Sequence, residues 1–144
     1  MTGSTVGLRS RRSSFIRWSA GAIAVAFGLA TVISGGRVLF GGPAARSSAG
    51  DIVPFVLMFN FGAGFAYVAA GLGAVARRTW AARLAQGLAV ATVLVFVAFG
   101  VHMAMGGSYE MRTVGAMTVR SAFWVVQALV LSRLLTPKGS QPTD

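Results

Sequence analysis

Cysteine is absent from the sequence, which removes disulfide frameworks, thiolate zinc sites, iron–sulfur clusters and thiol nucleophiles together. Histidine occurs once, at His102, so a bis-histidine haem is excluded as well. Charge is scarce and one-sided. Charged residues make up 11% of the 144 positions and only three of them are acidic, whereas an ordinary soluble domain carries about a quarter charged residues. Proton-driven transport places carboxylates within membrane spans, but Asp51 and Glu110 stand at span edges and Asp144 ends the chain. No linker or second domain is visible either, and the length leaves room for one small bundle only.

What is present is apolar. Hydrophobic residues reach 55% and the mean hydropathy is +0.70, a membrane-protein composition. Four long apolar runs, 18–34, 52–76, 84–105 and 114–135, each approach the length of a bilayer span. They lack the polar alternation of barrel strands, so helices are the form they take. The fold class is therefore all-α, an integral membrane four-helix bundle over 18–135, preceded by a basic segment 1–17 and followed by a tail 136–144. Breaks are expected at Gly35-Gly36, at Gly41-Gly42-Pro43 through Gly50, at Arg77-Arg78 and at Gly106-Gly107-Ser108.

The thirteen basic residues alternate by side. Arg9, Arg11, Arg12, Arg17, Arg77, Arg78, Arg83, Arg133 and Lys138 share one side; Arg37, Arg46 and Arg112 share the other, and Arg120 falls inside the fourth span. The positive-inside rule then puts both termini in the cytoplasm of a multi-pass protein. The basic side faces anionic lipid headgroups. Nucleic acid is not an expected partner, because no aromatic residues interleave a basic groove. Ser10-Arg11-Arg12-Ser13-Ser14-Phe15 approaches a twin-arginine signal, but an extra residue precedes Phe15 and no small-x-small cleavage site follows. An uncleaved signal anchor is the expectation.

Lipid offers no hydrophobic force between helices, so small residues and buried polar contacts should mark the interfaces. Ala20, Ala24 and Gly28 recur every four residues in the first span; Asn60, Gly64, Tyr67 and Gly71 share one stripe of the second. Ala91, Val95, Ala98 and His102 form the corresponding stripe of the third. Arg120 lies roughly 9 Å inside the fourth span at 1.5 Å per residue, on one face with Gln127, and is expected to face protein with Glu110, Asp51 or Asn60 as its partner. Asn60, Tyr67, His102, Glu110, Arg112 and Arg120 are the candidate ligand-binding residues, all in the outer half. They read either as a structural network, in which Glu110 neutralises Arg112 or Arg120, or as an outward site for a small polar ligand or quinone head.

Other chemistries are weaker. His102, Met103 and Met105 suit Cu(I) by ligand softness, but they do not share a helix face. A His/Met haem has the same single imidazole to work with. Ser108, His102 and Asp51 or Glu110 have the residue types of a hydrolytic triad without its prepared turn. No metal site, catalytic residue or cofactor is assigned.

The segments Gly36-Arg37-Val38-Leu39-Phe40-Gly41 and Gly62-Ala63-Gly64 through Gly71-Leu72-Gly73 to Arg77-Arg78 resemble the DoxX-like family of small four-helix bacterial membrane proteins. That resemblance implies the bacterial cytoplasmic membrane and an accessory role in quinone-linked thiol or sulfur oxidation. It transfers no site residue, since Asn60 stands in the region where the family often has an acid. The expected function is thus a non-catalytic accessory or interaction subunit of a membrane complex, working with a membrane-protein partner or further copies of itself. The alternative is outward binding of a small ligand, quinone or soft metal in redox or resistance chemistry.

Because the chain has no cysteine of its own, single introduced cysteines test the topology. Cysteine at Ser47 or Ser108 should react with an impermeant thiol reagent in intact cells and cysteine at Thr79 should not; the opposite pattern would invert the orientation.

Overall fold

A peptide group in hydrocarbon must find its partner within the same segment, so each apolar run folds as helix. The computed structural model describes residues 3–135, with side chains from Arg11 onward. It contains five helices, α1 Gly3–Phe40, α2 Gly42–Ala49, α3 Pro54–Val75, α4 Trp80–Ala104 and α5 Met111–Leu135, and no strand among the described residues. Four of them hold stretches long and apolar enough to cross a membrane: Arg11–Phe40, Pro54–Val75, Trp80–Ala104 and Met111–Leu135. The chain is an all-helical four-span bundle, with α2 as a short additional helix.

The helix ends follow from local chemistry. Pro43 and Pro54 sit in the first turns of α2 and α3, where a missing N–H costs nothing. α4 stops because Gly106 adopts φ +81°, which lets Gly106 N and Gly107 N donate to Met103 O and His102 O at 3.0 Å each, the two bonds of a Schellman motif. The same motif closes α3: Arg78 N donates to Gly73 O at 2.8 Å and Arg77 N to Ala74 O at 3.2 Å. Here Arg77 takes the left-handed position with φ 58°, a conformation in which glycine is ordinarily preferred.

Two boundaries differ from the sequence reading. Helix α1 continues through Gly35-Gly36 to Phe40 instead of breaking there, and the basic segment is helical from Gly3. The physical reason is packing: Gly35 is buried, and a Cβ placed on it would lie 3.2 Å from Phe61 Cβ. The glycine brings two helices together while its backbone stays helical. At about 1.5 Å per residue, α1 is roughly 57 Å long against a hydrocarbon core of about 30 Å, so it projects well past the span.

α1 and α3 run antiparallel in the closest packing of the bundle. Gly21 faces Gly71 and Gly28 faces Gly64, with a Cβ at Gly71 falling 2.6 Å from Gly21 O and one at Gly28 falling 2.8 Å from Gly64 O. The spacing of seven residues on both helices keeps these contacts on one seam. Gly28 thus does belong to an interface, but its partners in the seam are Gly21 and Gly35; Ala24 is buried in the core beside them.

α3 packs on α4 and α4 on α5, and α5 returns to α1 only sparsely. The main core is mostly alanine, including Ala63, Ala70, Ala74, Ala81 and Ala85, built around Tyr67, Leu88 and Trp124. A smaller cluster at the α2 end consists of Val53, Val56, Phe99 and Met117 and contains no α1 residue. On α4 the buried ridge is Ala81, Ala85, Leu88, Thr92 and Phe99. The expected stripe of Ala91, Val95, Ala98 and His102 is corrected: Ala98 is exposed and the other three are only half-buried. Near-equal apolarity around α4 hid the true face, because the lipid side of a span is as hydrophobic as its packed side.

Substituting Gly71 by valine should lower stability by about 1–3 kcal/mol through overpacking, measured as thermal unfolding in detergent. Gly62→Ala, where nothing lies within 4 Å of the new Cβ, should be neutral or stabilising by up to about 1 kcal/mol. Equal losses for the two would contradict the glycine seam.

Candidate functional site

Where α1 leans on α3, it leaves space between itself and α5. A cavity of about 480 Å³ opens at the α2 end, walled by α1, α2, α3 and α5. Its polar lining includes Thr31, Ser34 and Arg37 from α1, Asp51 and Asn60 from the α3 side, and Arg112, Thr113 and Arg120 from α5. Its remaining wall is apolar, with Val38, Ile52, Val53, Val56 and Leu57. The size lies within the range of small-molecule sites, about 300–1,000 Å³.

Arg120 forms part of the deep wall. It is half-buried and faces the bundle interior, as the sequence implies, but its partner is not a carboxylate. Nη2 donates to Thr31 Oγ1 at 3.4 Å, and the guanidinium lies 5.7 Å from the centre of the Phe27 ring, within cation–π reach. Its Nε is buried without a hydrogen-bond partner. The expectation of Glu110, Asp51 or Asn60 as partner is corrected to Thr31, a residue whose hydroxyl faces inward from α1. Asn60 donates weakly from Nδ2 to Met117 Sδ at 3.5 Å, and its Oδ1 is also buried and unpartnered.

Glu110 and Arg112 instead assemble the rim. Glu110 Oε1 accepts from Asp51 N at 3.3 Å and packs against Gly50. Gly50 has φ +73°, and a side chain there would strike the carboxylate. Arg112 Nη2 donates to Ala49 O at 2.9 Å and to Ser48 O at 3.4 Å, so a cation satisfies the last carbonyls of α2. Neutralisation of Arg112 or Arg120 by Glu110 is therefore not found. These two side chains tie the α2–α3 connection to the start of α5 and hold the cavity mouth in place.

Tyr67 and His102 lie outside the cavity lining. Tyr67 is fully buried, with ring centroids 5.9 Å from Phe27 and 4.5 Å from Trp124. Its hydroxyl, Thr92 Oγ1, Ser121 Oγ and Trp124 Nε1 are buried without hydrogen-bond partners. Gln127 donates to Ala20 O at 2.8 Å, which places it in the interior as expected. The His102 ring folds over Gly107, with Nε2 3.1 Å from the backbone oxygen of Ser108. It caps the α4 turn and meets the carbonyl of Ser108, whereas nucleophilic activation requires a hydrogen bond to the hydroxyl. Met105 is the exposed residue after α4.

Of the six candidate residues, then, Asn60, Arg112 and Arg120 converge on one cavity, Glu110 braces its rim, and Tyr67 and His102 serve elsewhere. Asp51 and Thr113 also line it outside those six, and Thr31, Ser34 and Arg37 are the members missed on α1. Their signal was available: they recur at i, i+3 and i+6 along the end of α1, the spacing of one helix face. No family model, curated protein or solved structure matches this chain.

No ion pair involves Arg120 among the described residues, so replacing it leaves no buried carboxylate behind. Arg120→Leu should retain the fold with stability equal to the parent or raised by about 1 kcal/mol, since a desolvated charge is exchanged for an apolar side chain. Thermal unfolding in detergent reads the effect. A large loss would make Arg120 a structural strut.

Proposed function

We propose that this chain is a small multi-pass protein of the bacterial cytoplasmic membrane that binds a small ligand in an outward-facing cavity and performs no catalytic step of its own. One observation carries the reading: residues distant in sequence, Arg37, Asn60, Arg112 and Arg120, line a single cavity at the α2 end. The excess of basic residues around Arg77-Arg78 and in the first turns of α1 supports the opposite end as cytoplasmic, and so supports an outward mouth. The rim braces support a preformed site, because Glu110 and Arg112 order the α2–α3 connection before any ligand arrives.

The short connections between spans support the accessory role as well, and the two readings meet if the chain holds a ligand for a partner protein. The DoxX-like resemblance supports a redox setting for that partner. Binding itself rests on the cavity alone.

Native mass spectrometry of the full chain after mild detergent extraction should show a bound small molecule in the parent. Ala116→Phe, which introduces a ring on the α5 wall of the cavity, should lose it while unfolding at a similar temperature. An empty parent that copurifies with a stoichiometric membrane protein would favour a purely accessory role.

A further inference from the structure

The cavity wall has three arginines, Arg37, Arg112 and Arg120, against one carboxylate, Asp51. Arg112 is partly engaged with the α2 carbonyls. Arg120 has only a long bond to a neutral hydroxyl. A guanidinium offers five donors, and holding one inside a membrane span with so few acceptors is unfavourable. A neutral quinone carbonyl would occupy donors without compensating charge. An oxyanion does both and matches the guanidinium fork. The other wall, Val38, Ile52, Val53, Val56 and Leu57, has nothing to offer an inorganic ion. It fits a hydrocarbon chain, and the sparse α1–α5 contact leaves this side of the bundle the least closed.

Resting on the ligand-binding reading above, we infer that the ligand is an anionic amphiphile: a carboxylate or phosphate head held by Arg120 with Arg37 and Arg112, and an apolar chain laid along α1 and α3. Asn60, on the same cavity wall, adds an amide as a hydrogen-bonding partner for the head.

The test is thermal unfolding of the full chain in a neutral maltoside detergent, followed by tryptophan fluorescence, during titration with dodecyl phosphate. Dodecyl phosphate should raise the unfolding temperature saturably. Arg120→Gln should shift half-saturation by about tenfold, and the exposed Arg37→Gln by about threefold, as expected for lost charge-assisted hydrogen bonds. Arg37→Gln removes no hydrogen bond that holds the fold, so it keeps the test valid if Arg120→Gln unfolds. Dodecanol and dodecyltrimethylammonium should produce no saturable rise; an equal rise with either, or no change of half-saturation in the arginine variants, overturns the inference. A full response to inorganic phosphate alone would assign the site to a free anion and overturn the amphiphile. A saturable, Arg120-dependent response to decylbenzoquinone but not to dodecyl phosphate would overturn the anion and leave the ligand-binding reading standing. Absence of any response, together with an empty cavity by native mass spectrometry, would overturn both.

Discussion

The distance between α1 and α3 is set where their backbones meet, at Gly21 with Gly71 and at Gly28 with Gly64. Water is not available to drive helices together inside a bilayer, so close approach of this kind supplies dispersion contacts that larger side chains would prevent. Two turns separate each pair of contacts on either helix, which fixes both the distance and the crossing direction. α1 is thereby committed to α3, and its contact with α5 is correspondingly thin. The cavity follows from that commitment. At the α2 end the packed cluster Val53, Val56, Phe99 and Met117 is complete without α1, so α1 forms a wall there and leaves the core to the other three helices.

The polar residues divide according to the same geometry. Toward the Arg77–Arg78 end, where Ala24 of α1 belongs to the core, the interior is alanine-rich and Gln127 is matched with a backbone acceptor. Toward α2, the helices stand apart and arginine side chains occupy the space. The uncompensated charge of Arg120 is acceptable only where the surroundings are roomy enough for other acceptors to reach it. Glu110, the carboxylate nearest to it in sequence, is occupied in bracing Gly50 and Asp51. The one acidic residue lining the cavity, Asp51, lies at its mouth end with the α2–α3 connection.

Much of the fold could be read from residue order because its signals are strong and local. Four apolar runs, Gly106-Gly107 as a helix stop and prolines at helix starts each act within one turn of chain. The seam of Gly21, Gly28 and Gly35 was harder to separate from Ala20, Ala24 and Gly28, since both sets are small and only the partner helix decides which faces it. Gly35-Gly36 looked like punctuation for a related reason: a glycine that ends a helix and one that admits a neighbour are the same residue in sequence. For the site, residue chemistry pointed to Asn60, Arg112 and Arg120, which line one cavity. It could not assign partners, because the Arg120–Thr31 pairing joins positions 89 residues apart and depends on the rotation of α1. His102 and Tyr67 attracted notice as chemically versatile side chains, yet one caps a turn and the other fills a core.

Packing and the cavity lining draw on different residue classes. Glycine and alanine hold α1, α3 and α4 together, and neither type carries a group able to recognise a ligand. Arginine, asparagine and threonine cluster where those small residues do not enforce contact. Glu110 and Arg112 are the exceptions that link the two, since their hydrogen bonds to the 48–51 backbone order the mouth using groups that also border the cavity. A ligand that engages the free donors of Arg112 must therefore act on a side chain already tied to the end of α2. That guanidinium is thus shared between the cavity lining and the end of α2, the one described helix too short to cross a membrane.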